Sequence, residues 1–153
     1  MLFQFGCNPG LGGNLVSSWS ENGVSIPFVP FASYDYSKIV NNQFVEVYRL
    51  SLEQTKSVKN ATIEVENING PILLLAGKED TMWPSNQICE MIIQRLNENN
   101  FPFWFKLYSY ENAGHTLNDG YIMGDNEEGN KKVRIDSQKR TFEFLNRLSE
   151  FGN

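Results

Sequence analysis

An α/β fold with a parallel sheet flanked by helices is predicted by three observations. Residues 70–77, GPILLLAG, form a continuous apolar run closed by glycine at both ends, which is the pattern of a strand covered on both faces. An amphipathic helical pattern follows directly, and a second, aromatic run, FWFKLYSY, occupies residues 103–110. Strand, helix and strand in that order, with another helical pattern at the C-terminal end, suit a parallel sheet, because parallel neighbours need a crossover connection between them.

The elements are justified in turn. The first forty residues, with GCNPGLGGN, SSWSENG and IPFVPFASY, are rich in Gly, Pro, Asn and Ser and predict loops joining short extended pieces. Leu2, Phe3 and Phe5 read as the end of a buried strand. Over residues 42–55, Phe44, Val47, Tyr48 and Leu52 recur at helical spacing. After the GPILLLAG strand, Pro84 and Ser85 open a helix whose apolar positions are Ile88, Met91, Ile92 and Leu96, and which stops in the Asn97-Glu98-Asn99-Asn100 cluster. FWFKLYSY predicts a second strand nearer the sheet edge. The polar stretch from Leu117 to Lys132 shows no periodicity and predicts a long surface loop. Asp136 and Ser137 supply cap chemistry for a last helix to about Glu150, with Phe142, Leu145 and Leu148 on its inner face and Lys139, Arg140 and Arg147 on its outer face.

Composition narrows the function classes. The 153 residues carry 13 Lys plus Arg against 18 Asp plus Glu, a formal charge of −5, and 41% are hydrophobic. That predicts one domain over residues 1–153. The basic residues form no stripe that would neutralise phosphates, which argues against a nucleic-acid partner. The longest aliphatic run, Ile72–Ala76, is far below the roughly 20 residues of a membrane span, and MLFQFGCNPG lacks the basic flank and apolar core of a signal peptide. Cys7 and Cys89 form no CxxC pair, so a reducing cytoplasmic setting is expected. A single histidine, His115, excludes a metal centre built on several imidazoles, and neither metal nor cofactor is expected. The acidic residues of DNEEGN lack calcium-loop spacing. GCNPGLGGN lacks the Lys and following helix of a phosphate loop.

Reactive groups gather at the carboxyl ends of parallel strands. The residues following the two strand patterns include Asp80, after GPILLLAG, and His115, after FWFKLYSY. A carboxylate there can fix the tautomer of an imidazole and stabilise its cation during general-base work. Gly77 and Gly114 allow the sharp turns that would aim the pair.

GPILLLAGKEDTMWPS, the helix behind it, and YSYENAGHTL resemble the C-terminal α/β-hydrolase domain of acyl-CoA thioesterases and bile acid-CoA:amino acid N-acyltransferases. IEVENINGPILLL and the Trp-containing loop SSWSENGVSIPFVPF extend the resemblance from about Ser17 to the C-terminus. It implies the C-terminal part of an α/β-hydrolase fold, with Asp80 as the acid and His115 as the base of a Ser/Cys-His-Asp triad. It also implies an acyl-CoA or related acyl ester as substrate. Trp19 and Trp83 are candidate walls of the acyl pocket.

The nucleophile of that fold sits in a G-x-S-x-G or related elbow that precedes the acid and base in the chain. None of Ser17, Ser18, Ser20, Ser25, Ser33, Ser37, Ser51 and Ser57 has glycines two positions before and after it, and Cys7 in FGCNPG has its glycine at the wrong offset. The resemblance therefore implies a partial domain whose nucleophile lies upstream of Met1. Two other expectations stay open: a dienelactone-hydrolase-like or peptidase-like esterase, since these turns are shared across the fold, and a non-catalytic remnant that associates through an exposed sheet edge.

Overall fold

The computed structural model describes residues 5–7, 16–32, 37, 44–124 and 126–151. Its centre is a strand–helix–strand unit: β6 (Ile72–Gly77), α3 (Ser85–Glu98) and β7 (Phe105–Tyr110). β6 and β7 pair in parallel from Ile72 opposite Phe105 to Gly77 opposite Tyr110. The predicted parallel pair and its crossover helix are present. The short strands before it are β1 (Phe5–Cys7), β2 (Val16–Ser17), β3 (Ser20–Glu21), β4 (Val24–Ser25) and β5 (Val29–Pro30). β1 lies between an antiparallel β2 and a parallel β5. β3 and β4 form a hairpin whose turn residues Asn22 and Gly23 have φ of 51° and 79°, as a type I′ turn requires.

One core fills the space between the α3 side of the central pair and the segments before it. Ile88, Ile92 and Leu96, one helical turn apart, are buried with Val29, Ala61, Val65 and Phe101, and Ile72, Leu74 and Phe105 pack against them. The polar cluster after Glu98 ends α3 by a defined device. Asn100 takes a φ of 50°, Phe101 N–H donates to Leu96 O at 3.0 Å and Asn100 N–H to Asn97 O at 3.2 Å, the paired bonds of a Schellman cap. Phe101 then turns back into the core.

Helix α1 (Phe44–Leu52) and helix α2 (Thr55–Asn60) join the N-terminal strands to this core. Ser51, fully buried in α1, donates to Val47 O at 2.7 Å and accepts Ala32 N–H at 3.1 Å. Gln54 donates to Pro30 O at 2.7 Å. Ser51→Ala should lower the stability by about 1 kcal/mol in chemical denaturation, because Ala32 N–H loses its acceptor. An unchanged midpoint would mean that the serine does not tie α1 to β5.

The C-terminal helix departs from expectation. Helix α4 runs from Glu127 to Phe151, nine residues earlier than the Asp136 start. Asn126 caps it, accepting Gly129 N–H at 2.8 Å, and acidic Glu127 and Glu128 occupy the favoured first turn. The expected inner residues Phe142 and Leu145 are 66% and 51% exposed. Asn130, Val133 and Ser137 are buried instead. The physical reason is that this side of the sheet presents the rings of Tyr108 and Trp104, over which arginine can pack. Arg140 lies 4.8 Å over Tyr108, Arg147 lies 5.8 Å over Trp104, and Phe144 stacks on Trp104. Arg140 thus packs on the sheet through a cation–π contact, while Lys139 and Arg147 stay exposed. α3 and α4 use opposite faces of β6, which explains its unbroken apolar sequence. No helix among the described residues is long and apolar enough to cross a membrane.

Candidate active site

β6 and β7 deliver two turns side by side. Beyond the last strand pair, Lys78 N–H donates to Tyr110 O at 2.9 Å and Glu79 N–H to Ala113 O at 3.0 Å, so the parallel pairing carries into the turns themselves. On the rim, Lys78 forms an ion pair with Glu111.

Asp80 is 95% buried, given its 5% exposure, and its two oxygens do different work. Oδ1 accepts the backbone N–H groups of Met82 at 2.8 Å and Trp83 at 2.9 Å, which folds its own turn in the manner of an Asx motif. Oδ2 lies 3.0 Å from His115 Nδ1. Thr81 O accepts Val45 N–H at 3.0 Å, fixing the acid turn to the start of α1. The imidazole of His115 is partly open to solvent, with 26% of its side chain exposed. Asp80 accepting from Nδ1–H leaves Nε2 as the acceptor, the arrangement a general base needs.

Trp83 stands edge-on to His115 at 5.2 Å and tilted to Tyr48 at 6.1 Å. Its indole N–H is buried without a hydrogen-bond partner. Trp19 is 70% exposed, and its backbone is tied locally to Ser17 and Ile26. The structure therefore brings Asp80, His115 and Trp83 together and leaves Trp19 on the surface. A cavity of about 220 Å³ beside the acid turn is lined by Arg49, Lys78, Asp80, Trp83 and Ser85, below the size of most sites that enclose a drug-sized ligand.

Three glycines allow the turns to meet. A Cβ on Gly77 would come within 2.3 Å of Ala113 O, and one on Gly114 within 2.4 Å of Met123 O and Gly124 O. One on Gly124, at φ +104°, would come within 1.7 Å of Glu79 O. The loop after His115 closes on itself through the bond from His115 N–H to Met123 O at 2.8 Å. Arg134 of α4 holds Asp119 in that loop at 2.6 Å, and this bond keeps the Asp119 carboxyl below its ordinary pKa.

Asn130 was not singled out by sequence reasoning. It is fully buried and bonded to Gly114 and Gly124 at the two ends of the loop. Asn126 followed by two acidic residues was a readable helix start, and placing α4 there would have brought Asn130 to its first turns. Cys89 is half-buried in α3, and burial raises its thiol pKa, which favours the inert thiol form. The side chain of Cys7, the GCNPGLGGN residues after it, and Asp125 of DNEEGN lie outside the described residues. Among the described residues, no group of three or more His, Cys, Asp or Glu could hold a metal ion.

A family model described as BAAT / Acyl-CoA thioester hydrolase C terminal matches residues 12–124, more than half of the chain. None of the curated proteins matches it.

Proposed function

Because the chain belongs to the BAAT / acyl-CoA thioester hydrolase C-terminal family, an α/β-hydrolase-type domain, we propose that Asp80 and His115 are two members of its catalytic triad. The observation that carries this reading is the 3.0 Å bond from Asp80 Oδ2 to His115 Nδ1, made between the ends of adjacent parallel strands. His115 Nε2 takes the proton of a Ser or Cys nucleophile as it attacks the thioester carbonyl. Asp80 holds the ring in the required tautomer and stabilises the cation that forms. Nε2 gives that proton to the coenzyme A sulfur as the C–S bond breaks, so the free thiol leaves and an acyl-enzyme remains. The neutral nitrogen then takes a proton from water for hydrolysis, or from an amine for acyl transfer. Trp83 packs beside the ring and serves as an apolar wall for the acyl group.

The nucleophile comes from residues outside this chain, because no serine here has elbow glycines and Cys7 has the wrong spacing. The family match favours a thioester substrate over a dienelactone-hydrolase-like or peptidase-like esterase, and over a non-catalytic remnant.

The test is to express the longest reading frame containing this chain and follow release of the coenzyme A thiol from acyl-CoA, with p-nitrophenyl esters for comparison. Acyl-CoA turnover that disappears in His115→Ala is expected, together with a G-x-S-x-G or G-x-C-x-G elbow in the preceding frame. Turnover that survives His115→Ala would remove His115 from the mechanism. A frame with no elbow would remove the triad.

A further inference from the structure

We propose that Asn130 is a positioning residue for His115: its side-chain amide clamps both ends of the loop that carries the imidazole and so sets the bond to Asp80. This rests on the reading of His115 and Asp80 given above. Asn130 is fully buried. Its Oδ1 accepts Gly114 N–H at 3.0 Å, and its Nδ2 donates to Gly124 O at 3.1 Å and Asn126 O at 2.9 Å. The orientation of the amide follows from its partners, since one is a backbone donor and the other two are backbone acceptors.

A buried amide is costly unless its hydrogen bonds are made, and an apolar residue would suit this position on α4 if packing alone mattered. Starting the helix does not require it either, because Asn126 already caps Gly129 N–H. The contacts with Gly114 and Gly124 instead close the loop around His115, whose own N–H bonds to Met123 O. Gly124 in turn backs onto Glu79, next to the acid. Asn130 therefore fixes the His115 loop against the turn holding Asp80. Catalytic pairs tolerate displacement of only about 0.5 Å.

The test uses the whole chain labelled with 15N and long-range 1H–15N correlation of its imidazole. His115 is the only histidine, so one ring is observed. In the wild type the neutral ring should carry its proton on Nδ1, and the Gly114 amide should be protected from hydrogen exchange. Asn130→Ala should lower the Nδ1-protonated fraction about two-fold or more. Asn130→Asp, nearly isosteric, keeps an acceptor for Gly114 but turns an oxygen toward the Gly124 and Asn126 carbonyls, and should have the same effect. Ile92→Val, a core truncation remote from the loop, should keep the wild-type tautomer.

A wild-type tautomer in either folded Asn130 variant would overturn the proposal. So would an unprotected Gly114 amide in the wild type, or the failure of both variants to fold while Ile92→Val folds. Asp80→Asn separates the two ideas. If that variant keeps the wild-type tautomer, the Asp80–His115 reading fails, whatever the Asn130 variants show.

Discussion

Asp80→Asn should leave the protein folded and lower kcat of the elbow-bearing enzyme by about four orders of magnitude, the scale seen when a triad carboxylate becomes an amide. The division of labour between the two carboxylate oxygens gives the reason. Oδ1 accepts two backbone N–H groups, of Met82 and Trp83, so the asparagine amide should keep its oxygen there and preserve the turn. Its NH2 group must then face His115 Nδ1, where Oδ2 stood. A donor at that point forces Nδ1 to accept and moves the ring proton to Nε2, the nitrogen that in the proposed triad receives the nucleophile's proton. Asp80→Ala should differ, because it also removes the acceptor of the two N–H groups and should lower thermal stability together with kcat. Equal melting temperatures for the two variants would show that Oδ1 does not hold the turn. A kcat for Asp80→Asn within ten-fold of wild type would show that Oδ2 does not orient a catalytic base.

Gly124→Ala should destabilise the fold by about 3–5 kcal/mol, as strained backbone and overpacking add. Two independent causes act at this residue. Its φ of +104° is hard for an L side chain to adopt, and the added Cβ would lie 1.7 Å from Glu79 O. Backbone atoms cannot rotate away as a flexible side chain could. Relief therefore requires the His115 loop and the acid turn to separate, which also lengthens the Asp80–His115 bond. A drop of roughly 10 °C or more in Tm is expected for a domain of this size, and differential scanning calorimetry would measure it. Gly120→Ala is the matching control, since a Cβ there meets only the Asn118 side chain at 3.3 Å. Comparable losses for the two variants would rule out the close approach of Gly124 to Glu79 as the cause.

Much of the site could be read in the sequence because its two polar groups follow two strongly patterned strands. GPILLLAG leads to Asp80 and FWFKLYSY to His115, and the parallel register carries those ends to the same edge. The start of α4 was harder to see. Residues 127–132 contain no apolar residue, so helical periodicity has nothing to mark there. The contacts of its basic residues are hidden in the sequence for a related reason. Arg140 and Arg147 count as outward residues in any hydrophobic pattern, but their guanidinium groups pack over Tyr108 and Trp104, a contact that depends on which rings the sheet presents.

Sequence alone determined the strand–helix–strand order, the family resemblance, and the identity of the acid and base candidates, because hydrophobic period and glycine-bounded turns are local properties of the chain. Tertiary structure alone decided the 3.0 Å meeting of Asp80 with His115, the surface position of Trp19, and the burial of Asn130 behind the imidazole loop. These depend on groups distant in the chain approaching within hydrogen-bond or van der Waals range. Such distances are set by how whole elements pack, and no window of neighbouring residues encodes them.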